Sequence, residues 1–112
     1  EAAHSLVHHD GKCRGLHGHS YTLKVEIRSK VLNSSGPKSN MVLDFEDISR
    51  TTKPMLKEYF DHQYINETLK NDSPTAEFMA KWIFDFLSPL IPLLYSVTIQ
   101  ETSNSQVTYI VD

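Results

Sequence analysis

Apolar and polar residues alternate along three stretches of the chain, which is the pattern of β-strands that bury one face. The alternation covers about residues 18–32, 94–101 and 106–111. Because strand side chains point to opposite faces in turn, each stretch presents one apolar face. Residues 103–105 are Ser-Asn-Ser and predict a turn that joins the last two strands. A further strand is predicted over about residues 1–7.

A first helix is predicted directly after a short strand at residues 41–45. Asp44 is a suitable N-cap, and Glu46 and Asp47 follow in the first turn, where the helix dipole favours anions. Pro54 lies inside the helical pattern and predicts a kink or a split there. The apolar positions at helical spacing are Phe45, Ile48, Met55, Leu56 and Tyr59.

A second helix is predicted to open at Ser73 and Pro74, with the serine as N-cap and the proline as the first helical residue. Pro89 and Pro92 predict its end. Its apolar face is wide, as expected for a helix that packs on a sheet. That face consists of Phe78, Met79, Trp82, Ile83, Phe86 and Leu87.

The predicted elements follow the order strand, strand, short strand with helix, helix, strand and strand. This order indicates an α+β fold with the helices on one face of an antiparallel sheet. We interpret residues 1–112 as one domain. The polar stretches 8–12 and 33–40 are predicted loops, and 61–67 is a link without periodicity. The chain opens at Glu1 inside the strand pattern, and we interpret the first strand as incomplete at its start.

Charge and composition narrow the classes of partner. The formal net charge is −3 and the pI is near 6.1, so no basic face is predicted and we expect no nucleic-acid partner. No apolar run approaches the length of a membrane span, and we expect no membrane association. The single cysteine cannot form a disulfide within the chain, and a lone thiol suits the reducing cytoplasm.

Three histidines and the cysteine lie close together near the start of the chain. His17 and His19 are two residues apart at the head of a strand pattern, so their imidazoles project to the same side. His4 can join them from the preceding strand. Three protein ligands with one open position is the arrangement of catalytic zinc. A His-x-His pair alone, without a third ligand, is more often two polar residues at a strand end than a metal site. A role for Cys13 as a fourth, structural ligand also stays open.

Several segments, taken together, resemble the 6-pyruvoyl-tetrahydropterin synthase and 6-carboxytetrahydropterin synthase family. The similarity extends over nearly the whole chain, although no single segment would be specific. The position of Cys13 shortly before the His-Gly-His motif resembles the carboxy-forming branch of queuosine biosynthesis. The segments that carry the resemblance are Ala2-Ala3-His4, 13–21, 42–45, 61–66, 74–77 with 80–83, and Glu101-Thr102.

The resemblance implies the tunnelling fold, or T-fold, in which three chains close their sheets into a barrel. Two such trimers usually stack, so a homohexamer is expected. The resemblance implies zinc held by His4, His17 and His19, with Cys13 as the catalytic base and not as a ligand.

The resemblance also implies roles for residues farther along the chain. Asp61 and His62 would complete a proton relay from a neighbouring subunit, and Glu101 and Thr75 would hold the pterin ring. Adjacent side chains do not readily meet in a strand, so the partner of Asp61 need not be the His62 ring. The turn at 103–106 differs from the Cys- and Gly-containing turn of the carboxy-forming branch. We therefore expect its contacts with the substrate to differ as well.

The activity implied by the family is that of a lyase acting on a small molecule. It converts 7,8-dihydroneopterin triphosphate to 6-carboxytetrahydropterin and releases acetaldehyde and triphosphate. This internal redox reaction needs no nicotinamide, and the sequence has neither a Gly-x-Gly-x-x-Gly motif nor a P-loop. Two alternatives stay open. One is the pyruvoyl-forming synthase of biopterin-type pathways, and the other is a non-catalytic oligomer that binds pterin or zinc.

Overall fold

The computed structural model describes residues 1–112 and has the predicted α+β architecture. Five strands form two antiparallel sheets, and two long helices and one short helix accompany them. None of the helices is long and apolar enough to cross a membrane. The elements are β1 (Ala2–His4), β2 (His17–His19), β3 (Thr22–Ile27), α1 (Phe45–Tyr59), α2 (Ile65–Thr68), α3 (Ala76–Leu87), β4 (Leu94–Thr102) and β5 (Ser105–Ile110).

The larger sheet has the strand order β3-β4-β5, and the smaller sheet pairs β1 with β2. The strand predicted over residues 18–32 is therefore two strands, and it ends at Ile27. It ends there because its partner begins at Leu94, which pairs with Ile27, so the residues that follow have no neighbouring strand. The predicted hairpin of β4 and β5 is confirmed, and Thr102 pairs with Ser105 across its turn.

Helix α3 packs on β4 and β5 and supplies the centre of the core. It begins at Ala76 with Thr75 as N-cap, so the prediction of Ser73 as cap and Pro74 as first helical residue is wrong by two positions. The Thr75 hydroxyl accepts a hydrogen bond from the Phe78 amide at 3.1 Å, which fixes the start of the helix. The core side chains of this layer are Met79, Ile83, Leu87, Val97 and Ile99.

Helix α1 has the predicted N-cap, because the Asp44 side chain accepts from the Glu46 amide at 3.0 Å. The predicted split at Pro54 is wrong, since the helix runs through it. Pro54 and Arg50 are both exposed, so the Arg50 carbonyl that the proline leaves without an intrahelical partner can face water. The predicted strand at residues 41–45 is also absent, and Phe45 is 86% exposed and lies outside the buried stripe.

Strand β1 is held from two sides. It pairs with β2 on one side, and on the other the Ala3 amide donates to the Gln63 carbonyl at 3.0 Å and Ala3 bridges to Tyr64. The link predicted at 61–67 thus includes the start of α2, whose Ile65 is fully buried. These contacts place the only histidine of β1 beside those of β2.

Candidate functional site

Three imidazoles meet where β1 and β2 pair. His4 lies directly opposite His17, and Ala2 lies opposite His19, so the register of two short strands brings the rings together. The ring centroids are 4.5 Å apart for His4 and His17, 5.2 Å for His4 and His19, and 5.0 Å for His17 and His19. One nitrogen of each ring lies within 4.8 Å of those of the other two. This spacing suits three ligands of a single metal ion.

Gly18 allows the two strands to approach closely between His17 and His19. A Cβ atom at this position would lie 3.2 Å from the Ala2 carbonyl oxygen, which is tighter than ordinary contact. A larger residue would therefore push β1 away from β2. The glycine thus helps to set the spacing of the histidine cluster, which is the set His4, His17 and His19.

Backbone carbonyls orient two of the three rings. His4 Nδ1 lies 2.9 Å from the Pro74 carbonyl oxygen, and His17 Nδ1 lies 2.7 Å from the Gly15 carbonyl oxygen. A carbonyl oxygen only accepts, so Nδ1 of each ring carries the proton and Nε2 keeps its lone pair. A hydrogen bond from the second ring nitrogen to a carbonyl is the usual support of a metal-ligating histidine.

The free nitrogens are buried and lack partners. Nε2 of His17 and Nε2 of His19 are both buried without a hydrogen bond, which is costly unless something else binds them. His4 is only 1% exposed, and burial lowers its pKa against the opposing effect of the Pro74 carbonyl. A lowered pKa keeps His4 neutral, which is the form that binds metal. The three residues therefore fit a zinc ion.

Glu101, near the end of β4, lies next to the histidine cluster. Its Oε1 lies 3.1 Å from His19 Nε2, although the two atoms are not aligned as a hydrogen bond. Pairing of Thr22 with Gln100 carries the end of β4 alongside the residues that follow β2. The structure thus brings together the predicted zinc ligands and the predicted pterin-binding carboxylate.

Tyr21 is a member of this site that the sequence does not single out, because the alternation over residues 18–32 predicts for it only a place on the apolar face of a strand. Its ring is in edge contact with His4 and His19, at centroid distances of 5.9 and 5.3 Å. Burial, and after it the charge of Glu101, raises the pKa of Tyr21, so the hydroxyl stays protonated. Its position two residues after His19 in an alternating stretch was the available signal.

Cys13 lies in a turn of 3₁₀-helix at Lys12–Arg14 and is half-buried. The Leu6 amide donates to the Cys13 carbonyl at 2.9 Å, which ties this turn to the residues that follow β1. The group of converging ligand atoms consists of the three histidines and does not include the thiol.

Asp61 and His62 contact each other directly, with Oδ1 and Nδ1 2.9 Å apart. The expectation that neighbouring side chains do not readily meet assumed a strand. Here His62 has a φ of 58°, and this left-handed turn brings the two side chains together. His62 is 78% exposed and lines an open pocket of about 480 Å³, whose wall also includes Gly18 and His19.

Thr75 serves first as the N-cap of α3. Its hydroxyl oxygen accepts from the Phe78 amide, which leaves the hydroxyl proton free to be donated elsewhere. Its neighbour Pro74 holds the His4 ring. The structure therefore places Thr75 one residue from the group that orients a predicted zinc ligand.

Known proteins resemble this chain in both sequence and fold. Residues 1–111 match the family described as 6-pyruvoyl tetrahydropterin synthase. A 6-carboxy-5,6,7,8-tetrahydropterin synthase of Synechocystis is 44% identical over 110 residues, which are 97% of this chain and 85% of that protein. A 6-pyruvoyl tetrahydrobiopterin synthase of Dictyostelium discoideum is 34% identical over 107 residues, covering 88% of this chain and 73% of that protein. The structure of a 6-pyruvoyl tetrahydropterin synthase from Caenorhabditis elegans superposes with a TM-score of 0.82 at 31% identity, covering 99% of this chain and 89% of that one.

Proposed function

The chain belongs to the 6-pyruvoyl tetrahydropterin synthase family of enzymes, and from this premise we propose that it is a zinc-dependent 6-carboxy-5,6,7,8-tetrahydropterin synthase. Its substrate is then 7,8-dihydroneopterin triphosphate, and acetaldehyde and triphosphate leave as the 6-carboxy product forms. The observation that carries the choice of product is the 44% identity to the Synechocystis enzyme over 97% of the chain. The reaction would serve queuosine biosynthesis in the cytoplasm.

The histidine cluster is the proposed zinc site. Its support is the convergence of three ring nitrogens, together with the Nδ1 contacts that leave the lone pairs of two rings free. Zinc held by these three imidazoles would supply a Lewis acid for the hydroxyl oxygens of the substrate side chain. The ligand set matches that of catalytic zinc sites, in which one position stays open.

Proton transfer is assigned to Cys13 and to the Asp61–His62 pair. Reactions of this type remove protons from carbons that carry hydroxyl groups, and each removal needs a positioned base. Cys13 lies outside the group of ligand atoms, which suits a base better than a ligand. The direct contact of Asp61 with His62 would hold that ring in a fixed orientation.

Recognition of the pterin ring is assigned to Glu101 and Thr75. A carboxylate accepts two hydrogen bonds side by side, and the amino-pyrimidine edge of a pterin offers two donors. Glu101 lies against the histidine cluster, so a pterin bound to it would have its side chain near the three rings. The Thr75 hydroxyl retains a proton that it can donate to an acceptor of the ring.

The active assembly is proposed to be a homohexamer built from two trimers. The exposure of Asp61 and His62 agrees with a relay that acts on the substrate bound by a neighbouring subunit. The edges of the sheet formed by β3 and β5 have no partner within one chain. Free strand edges readily pair with another chain, as barrel closure requires.

Product analysis tests this proposal. The zinc-loaded protein is incubated with 7,8-dihydroneopterin triphosphate, and the pterin product and acetaldehyde are identified by mass. We expect 6-carboxytetrahydropterin and acetaldehyde in equal amounts. Formation of 6-pyruvoyltetrahydropterin without acetaldehyde would assign the chain to the pyruvoyl-forming activity. Binding of the substrate without any conversion would make the chain a non-catalytic pterin-binding protein.

A further inference from the structure

Tyr21 occupies a position at the histidine cluster that the proposed mechanism does not use. It follows His17 and His19 at the same two-residue spacing, so all three side chains project to one side of the chain. Its ring contacts two of the three imidazoles. The hydroxyl therefore lies among the groups proposed to bind zinc.

The hydroxyl of Tyr21 lies over the face of the His4 ring. Its oxygen is 3.2 Å from Nε2 and 3.3 Å from Nδ1 of that ring. An oxygen in the ring plane at equal distances from both nitrogens would collide with the carbon between them. The planes of the two rings are 88° apart, in agreement with a hydroxyl that points at the ring face. The in-plane lone pair of Nε2 is therefore left free, and the hydroxyl proton has no in-plane acceptor on His4.

The other polar groups at the histidine cluster can only accept hydrogen bonds. They are the carbonyl oxygens of Pro74 and Gly15 and the carboxylate of Glu101. A ligand hydroxyl that enters this space can donate its own proton to these acceptors, but its oxygen lone pairs need a donor or the zinc ion, and the acceptors cannot provide a donor. Tyr21 is the residue in contact with the cluster that offers an O–H group.

We propose that Tyr21 is a substrate-binding residue whose hydroxyl donates a hydrogen bond to an oxygen of the substrate's hydroxylated side chain. The proposal rests on the pterin-binding function proposed above and adds a specificity contact to it. Glu101 would hold the ring of the pterin, and Tyr21 would hold the side chain near the three imidazoles. The ring of Tyr21 then supports the site, and its hydroxyl distinguishes a pterin with a hydroxylated side chain from one without it.

Binding of two unreactive ligands to the zinc-loaded protein tests this proposal. Neopterin carries a trihydroxypropyl side chain, whereas unsubstituted pterin has none. Tyr21→Phe keeps the ring and removes only the hydroxyl. We expect the variant to bind neopterin about 5- to 150-fold more weakly than the unaltered protein, because an oxygen of the ligand is left without its donor. Its affinity for unsubstituted pterin and its zinc content are expected to be unchanged.

Tyr95→Phe is the matched control. It makes the same chemical change on a ring that lies under the Arg28 guanidinium, with 3.8 Å between the Arg28 Cζ and the ring centroid. We expect this variant to bind both ligands normally.

Three results would overturn the inference. Normal neopterin binding by Tyr21→Phe would show that the hydroxyl does not contact the side chain. Loss of zinc from that variant would make the hydroxyl a support of the metal site. Failure of the unaltered protein to bind either ligand would overturn the proposed function together with this inference, whereas the first two results leave the proposed function intact.

Discussion

The carbonyl oxygen of Pro74 accepts a hydrogen bond from Nδ1 of His4 at 2.9 Å, across 70 positions of sequence. Pro74 is buried and lies just before α3, so its carbonyl is available outside the helix. The start of the helix thereby orients the ring of a proposed zinc ligand. The stability of this end of α3 and the geometry of the histidine cluster are therefore linked.

Replacement of His19 tests the zinc site. We expect His19→Ala to lose most of its zinc, because two imidazoles remain where the site needs three protein ligands. The measurement is zinc per chain by elemental analysis after dialysis. His8→Ala is the control, since His8 is 76% exposed and lies outside the cluster, and it should retain one zinc per chain. Full zinc occupancy in His19→Ala would disprove the assignment.

Gly18 is expected to tune zinc affinity although it is not a ligand. Gly18→Ala would place a Cβ 3.2 Å from the Ala2 carbonyl, so β1 must shift away by a few tenths of an ångström. Because His4 lies on β1, the three rings would fit zinc less well, and affinity measured against a chelator should fall. Gly36→Ala serves as the comparison: its φ of 83° makes alanine strained, but nothing lies within 4 Å of the added Cβ and the residue is in the loop between β3 and α1, so this variant should bind zinc normally. Equal affinities would mean that the strand spacing does not limit the site.

Glu101 is expected to act on pterin binding and not on zinc content. Glu101→Gln retains the shape of the side chain but places an amide donor against the donors of the pterin. We expect the free energy of pterin binding to weaken by about 1–3 kcal/mol, because buried polar groups lose their partners. Calorimetric titration with pterin, paired with zinc analysis of the same sample, makes the comparison. Unchanged pterin binding would place the ring pocket elsewhere, and lost zinc would make Glu101 a ligand.

Replacement of Cys13 distinguishes a role as catalytic base from a role as zinc ligand. Cys13→Ala should remove proton abstraction and lower turnover by about a hundred- to ten-thousand-fold, while the three histidines still hold zinc. Zinc stoichiometry and turnover are measured on one preparation. Metal loss in step with activity would identify Cys13 as a ligand, and normal turnover would show that the thiol takes no part.

Thr75 is expected to affect stability through the helix cap. Thr75→Ala removes the acceptor of the Phe78 amide, and the free energy of unfolding should fall by about 0.5–2 kcal/mol in chemical denaturation. Thr75→Ser keeps the hydroxyl and should restore most of it. If the hydroxyl also binds the pterin ring, Thr75→Ser will retain ring binding and Thr75→Ala will weaken it. Equal stability of all three proteins would contradict the capping role.

Local sequence patterns were sufficient for most of the fold. Alternation identified the β4–β5 hairpin and the strand that contains Leu23 and Val25, and helical periodicity identified α3. The wrong predictions concern the ends of elements, which depend on contacts with other residues. The strand predicted to reach residue 32 ends at Ile27 because β4 offers nothing beyond Leu94. Helix α3 begins at Ala76, two residues later than predicted, because Thr75 and not Ser73 is its N-cap.

The sequence by itself determined which residues are proposed to carry the chemistry: the His-x-His pair, His4 upstream, and the family segments around Asp61 and Glu101. Only the tertiary structure decided how they meet. The β1–β2 register sets His4 against His17, the β3–β4 register brings Glu101 to His19, and Tyr21 becomes part of the site through contact with His4. Strand register and packing depend on residues far apart in the chain, and periodicity reports only which face a side chain occupies, not what lies across from it.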